Sequence, residues 1–262
     1  MKQILLLSII TLALSSCNES APAPSQSKLK SVTSYIQDQS GEFRPGEKTV
    51  YTYSVTGLLE TSEQLQYDTQ DKQFHHFSTD TYTYNNGLLA RIDKNILDWT
   101  KKTTTRYEYA NGKISSITNE DEVTTTATVH ELASDTIEVF YQFSNGRSLT
   151  YKFYAKSKNI TYEKTIGDDL QLASVSKHEY DNFNNPYSLL GYTDLFFTNY
   201  SANNKITSTS NYYSLAFPQS TPIAYEYEYN SLNFPTQQIT TYKSTGSSGR
   251  LMKSKTVFEY VD

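Results

Sequence analysis

One phrase, repeated, decides most of what this chain can become. Tyr82-Thr83-Tyr84-Asn85-Asn86-Gly87-Leu88-Leu89-Ala90-Arg91-Ile92 returns as Tyr107-Glu108-Tyr109-Ala110-Asn111-Gly112-Lys113-Ile114-Ser115-Ser116-Ile117, with both tyrosines, the Asn-Gly pair, the aliphatic two after glycine and the isoleucine five after it in step. Asn-Gly between alternating hydrophobics marks a two-residue β-hairpin, because a type I′ turn needs positive φ at both central positions and these residues tolerate it best. Weaker copies lie at Tyr51, Tyr53, Gly57 and at Tyr141, Phe143, Asn145, Gly146.

Later the phrase lengthens. Glu179-Tyr180-Asp181-Asn182-Phe183-Asn184-Asn185-Pro186 and Glu228-Tyr229-Asn230-Ser231-Leu232-Asn233-Phe234-Pro235 share one pattern, and each proline should open a strand or lie at a sheet edge, since it cannot donate to a ladder. Tyrosine-type positions 53, 84, 109, 143, 180, 229 and 260 recur at a spacing in the range of repetitive architectures. Between turns the residues alternate: Thr103, Thr105, Tyr107 and Tyr109 share one face, opposite Lys102, Thr104, Arg106 and Glu108. Tyr225, Tyr227 and Tyr229 likewise oppose Glu226 and Glu228. This is a period of two in residues that favour strands. It predicts an all-β fold, a single antiparallel meander of about 14–17 strands forming an open or closed barrel-like sheet. Whichever face turns outward, charges on one and threonines on the other make a poor lipid surface.

The N-terminus gives an address. Ile4 to Leu14 is an apolar run too short for a membrane-spanning helix, which needs about 20 residues, so it reads as a secretory signal peptide. Leu14-Ser15-Ser16-Cys17 resembles the bacterial lipoprotein box. The resemblance implies cleavage before Cys17 and lipidation of its thiol, hence a membrane partner through that anchor. The expected organisation is residues 1–16 as signal peptide, 17–27 as acylated cysteine and flexible tether, and 28–262 as one repetitive β domain. The tether, Asn18-Glu19-Ser20-Ala21-Pro22-Ala23-Pro24-Ser25-Gln26-Ser27, is small, polar and proline-containing.

Cys17 is the only cysteine, so an acylated chain has no thiol left for a disulfide, a metal or a nucleophile. A net charge of −5 with interspersed signs offers no basic stripe for nucleic acid. No cofactor motif is present, and none is expected to be needed.

The tyrosine and Asp/Asn phrases are similar to YD-type repeats of bacterial surface proteins. Together with the lipoprotein box and the segment from Glu228 to Ile239, they resemble a family of Gram-negative outer-envelope lipoproteins of unknown function with a porin-like fold. That resemblance implies an outer-membrane location, on its periplasmic or its surface face, and no activity.

Candidate sites are few. Of four histidines, His75 and His76 are adjacent in a strand-like stretch and so point to opposite faces, while His130 and His178 stand apart. No metal site is expected from that spacing, because zinc needs three or four convergent ligands. The acidic groups Asn119-Glu120-Asp121-Glu122 and Asp168-Asp169 lack the oxygen spacing and central glycine of a calcium loop and read as solvated turns. Trp99, Tyr212 and Tyr213 are the possible ligand-contact aromatics, in a chain with 23 Tyr against 12 Phe and one Trp. Tyrosine also suits a half-wet sheet, burying its ring while its hydroxyl finds a partner. The expected function is a lipid-anchored, non-catalytic envelope scaffold or binding protein, its partner a glycan or a surface protein. The alternative is an enzyme acting on extracellular polysaccharide through a carboxylate pair that the sequence does not single out among 28 acidic residues.

Overall fold

The computed structural model describes residues 27–97, 102–133, 135–213, 219–243 and 250–261. Its strands are β1 (Lys28–Gln37), β2 (Phe43–Tyr53), β3 (Leu59–Asp68), β4 (Gln73–Asn85), β5 (Leu88–Ile96), β6 (Thr103–Ala110), β7 (Lys113–Glu120) and β8 (Thr125–Ala133). They continue as β9 (Thr136–Phe143), β10 (Ser148–Lys156), β11 (Asn159–Ile166), β12 (Leu172–Asn184), β13 (Asn203–Tyr212), β14 (Gln219–Tyr229), β15 (Pro235–Lys243) and β16 (Leu251–Val261). Each pairs antiparallel with its sequence neighbours, and β16 pairs with β1, so the sixteen-stranded meander closes into a barrel. Closure removes both exposed sheet edges. Because the strand number is even, Lys28 and Val261 face each other across the seam at one end, here called the near rim.

The turns are those the sequence calls for. Asn86 and Gly87 have φ of 49 and 78, and Asn111 and Gly112 of 52 and 75, the two successive left-handed positions of a type I′ turn. The longer phrase solves the same problem differently: Asn230 N–H donates to Phe234 O, Asn233 N–H donates to Asn230 O, and Asn233 takes the positive φ of 63. Pro235 then opens β15 as expected, whereas Pro186 opens no strand: it starts a 3₁₀ turn, Pro186–Leu190, capped by the Asn185 side chain, because the chain leaves the sheet there.

Tyrosines of the repeated phrase, the second of the pair at 53, 84 and 109 but Tyr227 rather than Tyr229 in the later copy, have a structural task that the repeat alone does not reveal. Across the near-rim end of six hairpins, a tyrosine hydroxyl on an even-numbered strand bonds a backbone carbonyl on the preceding odd one. Tyr53 donates to Leu29 O and Tyr109 to Leu89 O, each at 2.9 Å, while Tyr180 reaches Ile160 O and Tyr260 reaches Pro235 O at 2.6 Å. Tyr227 donates to Lys205 O at 2.8 Å, and Tyr84 bonds the Leu59 backbone. The acceptors lie at register shifts: Leu59 opposite Tyr53, Leu89 opposite Tyr84, Pro235 opposite Tyr229, and Leu29 opposite Tyr260. A β-bulge turns a carbonyl out of the ladder, and the phenol satisfies it.

The tyrosines therefore face inward. Tyr82, Tyr107 and Tyr141 are buried with Ile117, Val139 and Phe153 in one core cluster inside the barrel. The alternate positions form the outer wall, where Lys48, Arg106, Lys152, Lys177, Glu226 and Lys255 stand on six different strands. Cross-strand ion pairs lie on this wall, among them Arg106 with Glu120 at 3.0 Å and Lys152 with Glu138 at 2.7 Å.

Replacing Tyr109 with Phe keeps the ring and removes only the hydroxyl, leaving the Leu89 carbonyl unpaired. The variant should lose about 1 kcal/mol of stability, in line with one hydrogen bond of this kind, read as a lower urea midpoint with an unchanged slope. No loss in either Tyr109→Phe or Tyr260→Phe would show that the clamps do not support the fold.

Candidate functional site

Beneath the outer wall the barrel is filled rather than hollow. The connection from β12 to β13, residues 185–202, leaves the near rim and folds back inside. Leu190 and Phe197 are buried in the same core cluster as the wall tyrosines. Phe197 stacks on Phe153 at 5.4 Å between ring centres, Phe196 stacks on Tyr141 at 5.6 Å, and Tyr187 meets Phe258 edge-on at 6.0 Å. Polar bonds fix the segment as well: Tyr141 donates to Leu195 O at 2.8 Å, and the Tyr82 and Tyr192 hydroxyls lie 3.5 Å apart. Within the segment, the Asn199 amide donates to Tyr192 O, its backbone N–H donates to Asp194, and the Asn185 amide donates to Ser201 O, so side chains of the segment pair with its own backbone. The result is a plug with its own aromatic teeth.

Buried polar groups gather beside the plug. On β11 and β12, Glu163 Oε2 stands 3.8 Å from His178 Nε2, and His178 Nδ1 pairs with Ser208 Oγ at 3.0 Å. The Glu163 separation is an ion-pair distance, too long for a hydrogen bond, and His178 Nε2 makes no hydrogen bond. Burial raises the Glu163 carboxyl, but the facing His178 imidazole and the Lys205 charge hold it below its ordinary value. Burial pushes the Lys205 ammonium down, against Glu163 and Asp194, which pull it back up. Lys205 lines a cavity of about 130 Å³ between the plug's Asn185 and Tyr187 and the wall's Tyr225, Tyr227 and Gln238. A second inward charge pair joins Asp80 of β4 to Lys94 of β5, directly opposite each other, with Lys94 Nζ donating to Gln64 Oε1 at 3.1 Å. Burial raises the Asp80 carboxyl, and its Oδ1 has no partner.

Few of the residues singled out in the sequence belong to this interior. Cys17 and Trp99 lie outside the described residues, as does the Leu215–Pro218 stretch beyond the tyrosine doublet. Tyr212 and Tyr213 are exposed at the end of β13 farthest from the near rim, 40% and 49% accessible, and are not gathered with the plug. Asp121-Glu122 and Asp168-Asp169 occupy hairpin turns, whereas Asn119 and Glu120 end β7, where Glu120 pairs with Arg106. His76 pairs with Thr79 on the outer wall, whereas His75 Nε2 lies 2.6 Å from Asp71 Oδ2, with Asp68 close by. These three groups are exposed and could hold a cation, a juxtaposition across the β3–β4 turn that histidine spacing alone did not reveal. His178 is the one histidine drawn into the lumen. Glu163, His178 and Lys205 escape sequence reading because each is a single residue on its own strand, and only the register of β11, β12 and β13 brings them together.

No family model matches the sequence, and no curated protein does. Solved structures do match in fold. A porin-like protein from Bacteroides uniformis superposes with a TM-score of 0.58 at 12% identity, over 89% of this chain and 98% of that one. Another, from Bacteroides vulgatus, gives 0.50 at 12% identity over 90% and 99%. At such identity the likeness is one of architecture: an antiparallel barrel of similar extent.

The buried phenols dictate the alkaline behaviour. Burial raises the tyrosine hydroxyls of the wall and plug above 10, to about 12 for Tyr180 and Tyr187. A group raised on folding contributes stability that is complete below its unfolded value and is lost as pH climbs through the folded one. The barrel should therefore lose stability steeply above pH 10, and tyrosinate absorbance should rise together with unfolding. A smooth titration of all tyrosines near 10 with the fold intact would contradict this packing.

Proposed function

We propose that this protein is a lipid-tethered, non-conducting barrel of the bacterial cell envelope, acting as a binding module or structural scaffold rather than as a pore. The observation that carries the reading is the combination of a polar outer wall and a plugged lumen. A transmembrane barrel presents an apolar band about 25 Å tall to lipid, and an Arg or Lys at its midplane costs about 2–4 kcal/mol. Arg106, Lys152 and Lys177 project from this wall on separate strands. The lumen, in turn, holds Phe197, Tyr192 and Leu190 where a channel would hold water. The signal-like N-terminus and the lipoprotein box at Cys17 supply the attachment, and the fold of the Bacteroides proteins is consistent with an envelope role.

The polar cluster argues for binding over catalysis. Glu163 faces His178 and Asp80 faces Lys94, so both of these inward carboxylates stand against a basic partner instead of against a second acid across a cleft. A ligand, whether a glycan or a surface protein, would meet the turns and rims, where loops on a rigid scaffold carry recognition.

Two measurements test the reading. Cys17→Ser should abolish palmitate labelling of the expressed protein, and persistent labelling would overturn the anchor. Residues 28–262, made without signal or lipid, should fold in buffer free of detergent and leave planar bilayers silent. Folding only in detergent, or discrete conductance steps, would require a pore instead.

A further inference from the structure

One cation beside the plug is left without a partner. Lys205 of β13 stands opposite the inward Tyr180, and among the described residues its ammonium makes no hydrogen bond and no ion pair. The two carboxylates whose charge reaches it are engaged elsewhere. Glu163 faces His178 and bonds Ser176, while Asp194 accepts from the Asn199 N–H at 3.2 Å and from the Thr198 hydroxyl at 2.7 Å. Lysines are rarely taken out of water unpaired, because the ammonium forfeits its hydration. Lys205 instead lines the cavity of about 130 Å³ that lies between the plug's Pro186 and Tyr187 and the wall's Tyr225, Tyr227 and Gln238. The Tyr225 hydroxyl, too, has no partner among the described residues. Thr198, which also lines the cavity, is exposed, so the space communicates with solvent.

We propose that this cavity binds a small monocarboxylic acid, its carboxylate on the Lys205 ammonium and the Tyr225 hydroxyl, and its body, no larger than a single ring, against Pro186 and the tyrosine rings. The size follows from the volume, since a cavity of about 150 Å³ accepts benzene. The charge follows from the neighbours. Unused N–H and O–H donors call for acceptor atoms, and a carboxylate brings two oxygens that bond a cation strongly. Glu163 and Asp194 already place negative charge nearby, so a doubly charged guest such as phosphate is repelled. The body follows from the lining, because a few placed polar groups among aromatic walls are the make-up of small-molecule sites. Water alone would fill the space, but it gives no reason for a lysine there: methionine, of nearly the same length, would spare the barrel the desolvation of a charge. The site is independent of the lipid anchor, and it adds a small-molecule ligand to the binding role argued above.

Calorimetric titration of the full-length protein in mild detergent tests this, with benzoate as the probe and benzyl alcohol and inorganic phosphate beside it. Benzoate should bind at one site, and at about ten times its dissociation constant it should raise the melting temperature by about 3–6 °C. Benzyl alcohol, which keeps the ring and loses the charge, and phosphate should each bind at least about tenfold more weakly. Lys205→Met should melt no lower than wild type without ligand, and should lose at least about tenfold in benzoate affinity. A measurement on the unaltered protein locates the site whatever the variant does. With about nine-tenths of the sites filled, benzoate should slow acetylation of Lys205 by acetic anhydride at least about fivefold, read by mass spectrometry of its peptide, and leave the outer-wall lysines unchanged. Absence of benzoate binding, equal affinity for benzyl alcohol or phosphate, equal affinity in a folded Lys205→Met, or acetylation of Lys205 indifferent to benzoate would each overturn the proposal. The anchor and the silent lumen stand or fall separately, on palmitate labelling and conductance.

Discussion

The bond from a phenol to a bulge carbonyl is the interaction on which the rest of the barrel depends. Six of the eight hairpins that meet at the far rim are shut there by a turn and at their open end by a tyrosine, among them Tyr53 to Leu29, Tyr109 to Leu89 and Tyr260 to Pro235. The acceptor of one hairpin lies opposite the tyrosine of its neighbour, as Leu59 does with Tyr53 and Leu29 with Tyr260. The clamps so form a belt over β11–β16 and β1–β6 that passes through the seam between β1 and β16. Any one bond contributes little, about 1 kcal/mol net. Their effect comes from fixing where each strand bends, because the bulge that frees a carbonyl also increases the local twist that a closed sheet requires.

The belt has consequences on both sides of the wall. Inward-facing rings leave a lumen lined by aromatic surface, and the segment 185–202 fills it with rings of its own, through Phe196, Phe197 and Tyr192. Outward, the alternate positions are free to be threonine, lysine and glutamate, and cross-strand pairs such as Arg106 with Glu120 occupy them. The architecture of an outer-membrane barrel is thereby built with its polarity reversed: apolar within and wet without.

Much of this was legible in the sequence, and the part that was not has a physical cause. The Asn-Gly turns at 86–87 and 111–112 and the alternation of Tyr225, Tyr227 and Tyr229 give strands, order and approximate number, because turn conformation and side-chain parity are local. Closure is not local, since it rests on Leu29 meeting Tyr260 across the length of the domain. Parity likewise tells that tyrosines share a face without telling that the face turns inward. The plug was the larger omission. Tyr187, Tyr192, Phe196, Phe197 and Tyr200 are an unusual density of aromatics for a surface connection, and that density was the available signal. Glu163, His178 and Lys205 carried none, for nothing in their separate strands distinguishes them from the charges of the outer wall. The exposed doublet of Tyr212 and Tyr213 drew notice because it interrupts the repeat, yet the lumen draws on tyrosines that keep it.

A hairpin closed at both ends, by a turn and by a phenol, is a self-contained module of two strands. Such a module can be copied or lost without disturbing its neighbours' pairing, provided that it moves as a pair. Barrels related to this one would then differ in circumference by steps of two strands, with their chain ends always brought together. A lengthened connection such as 185–202 would be free to appear at any junction between modules, making the stopper of one barrel a loop in another.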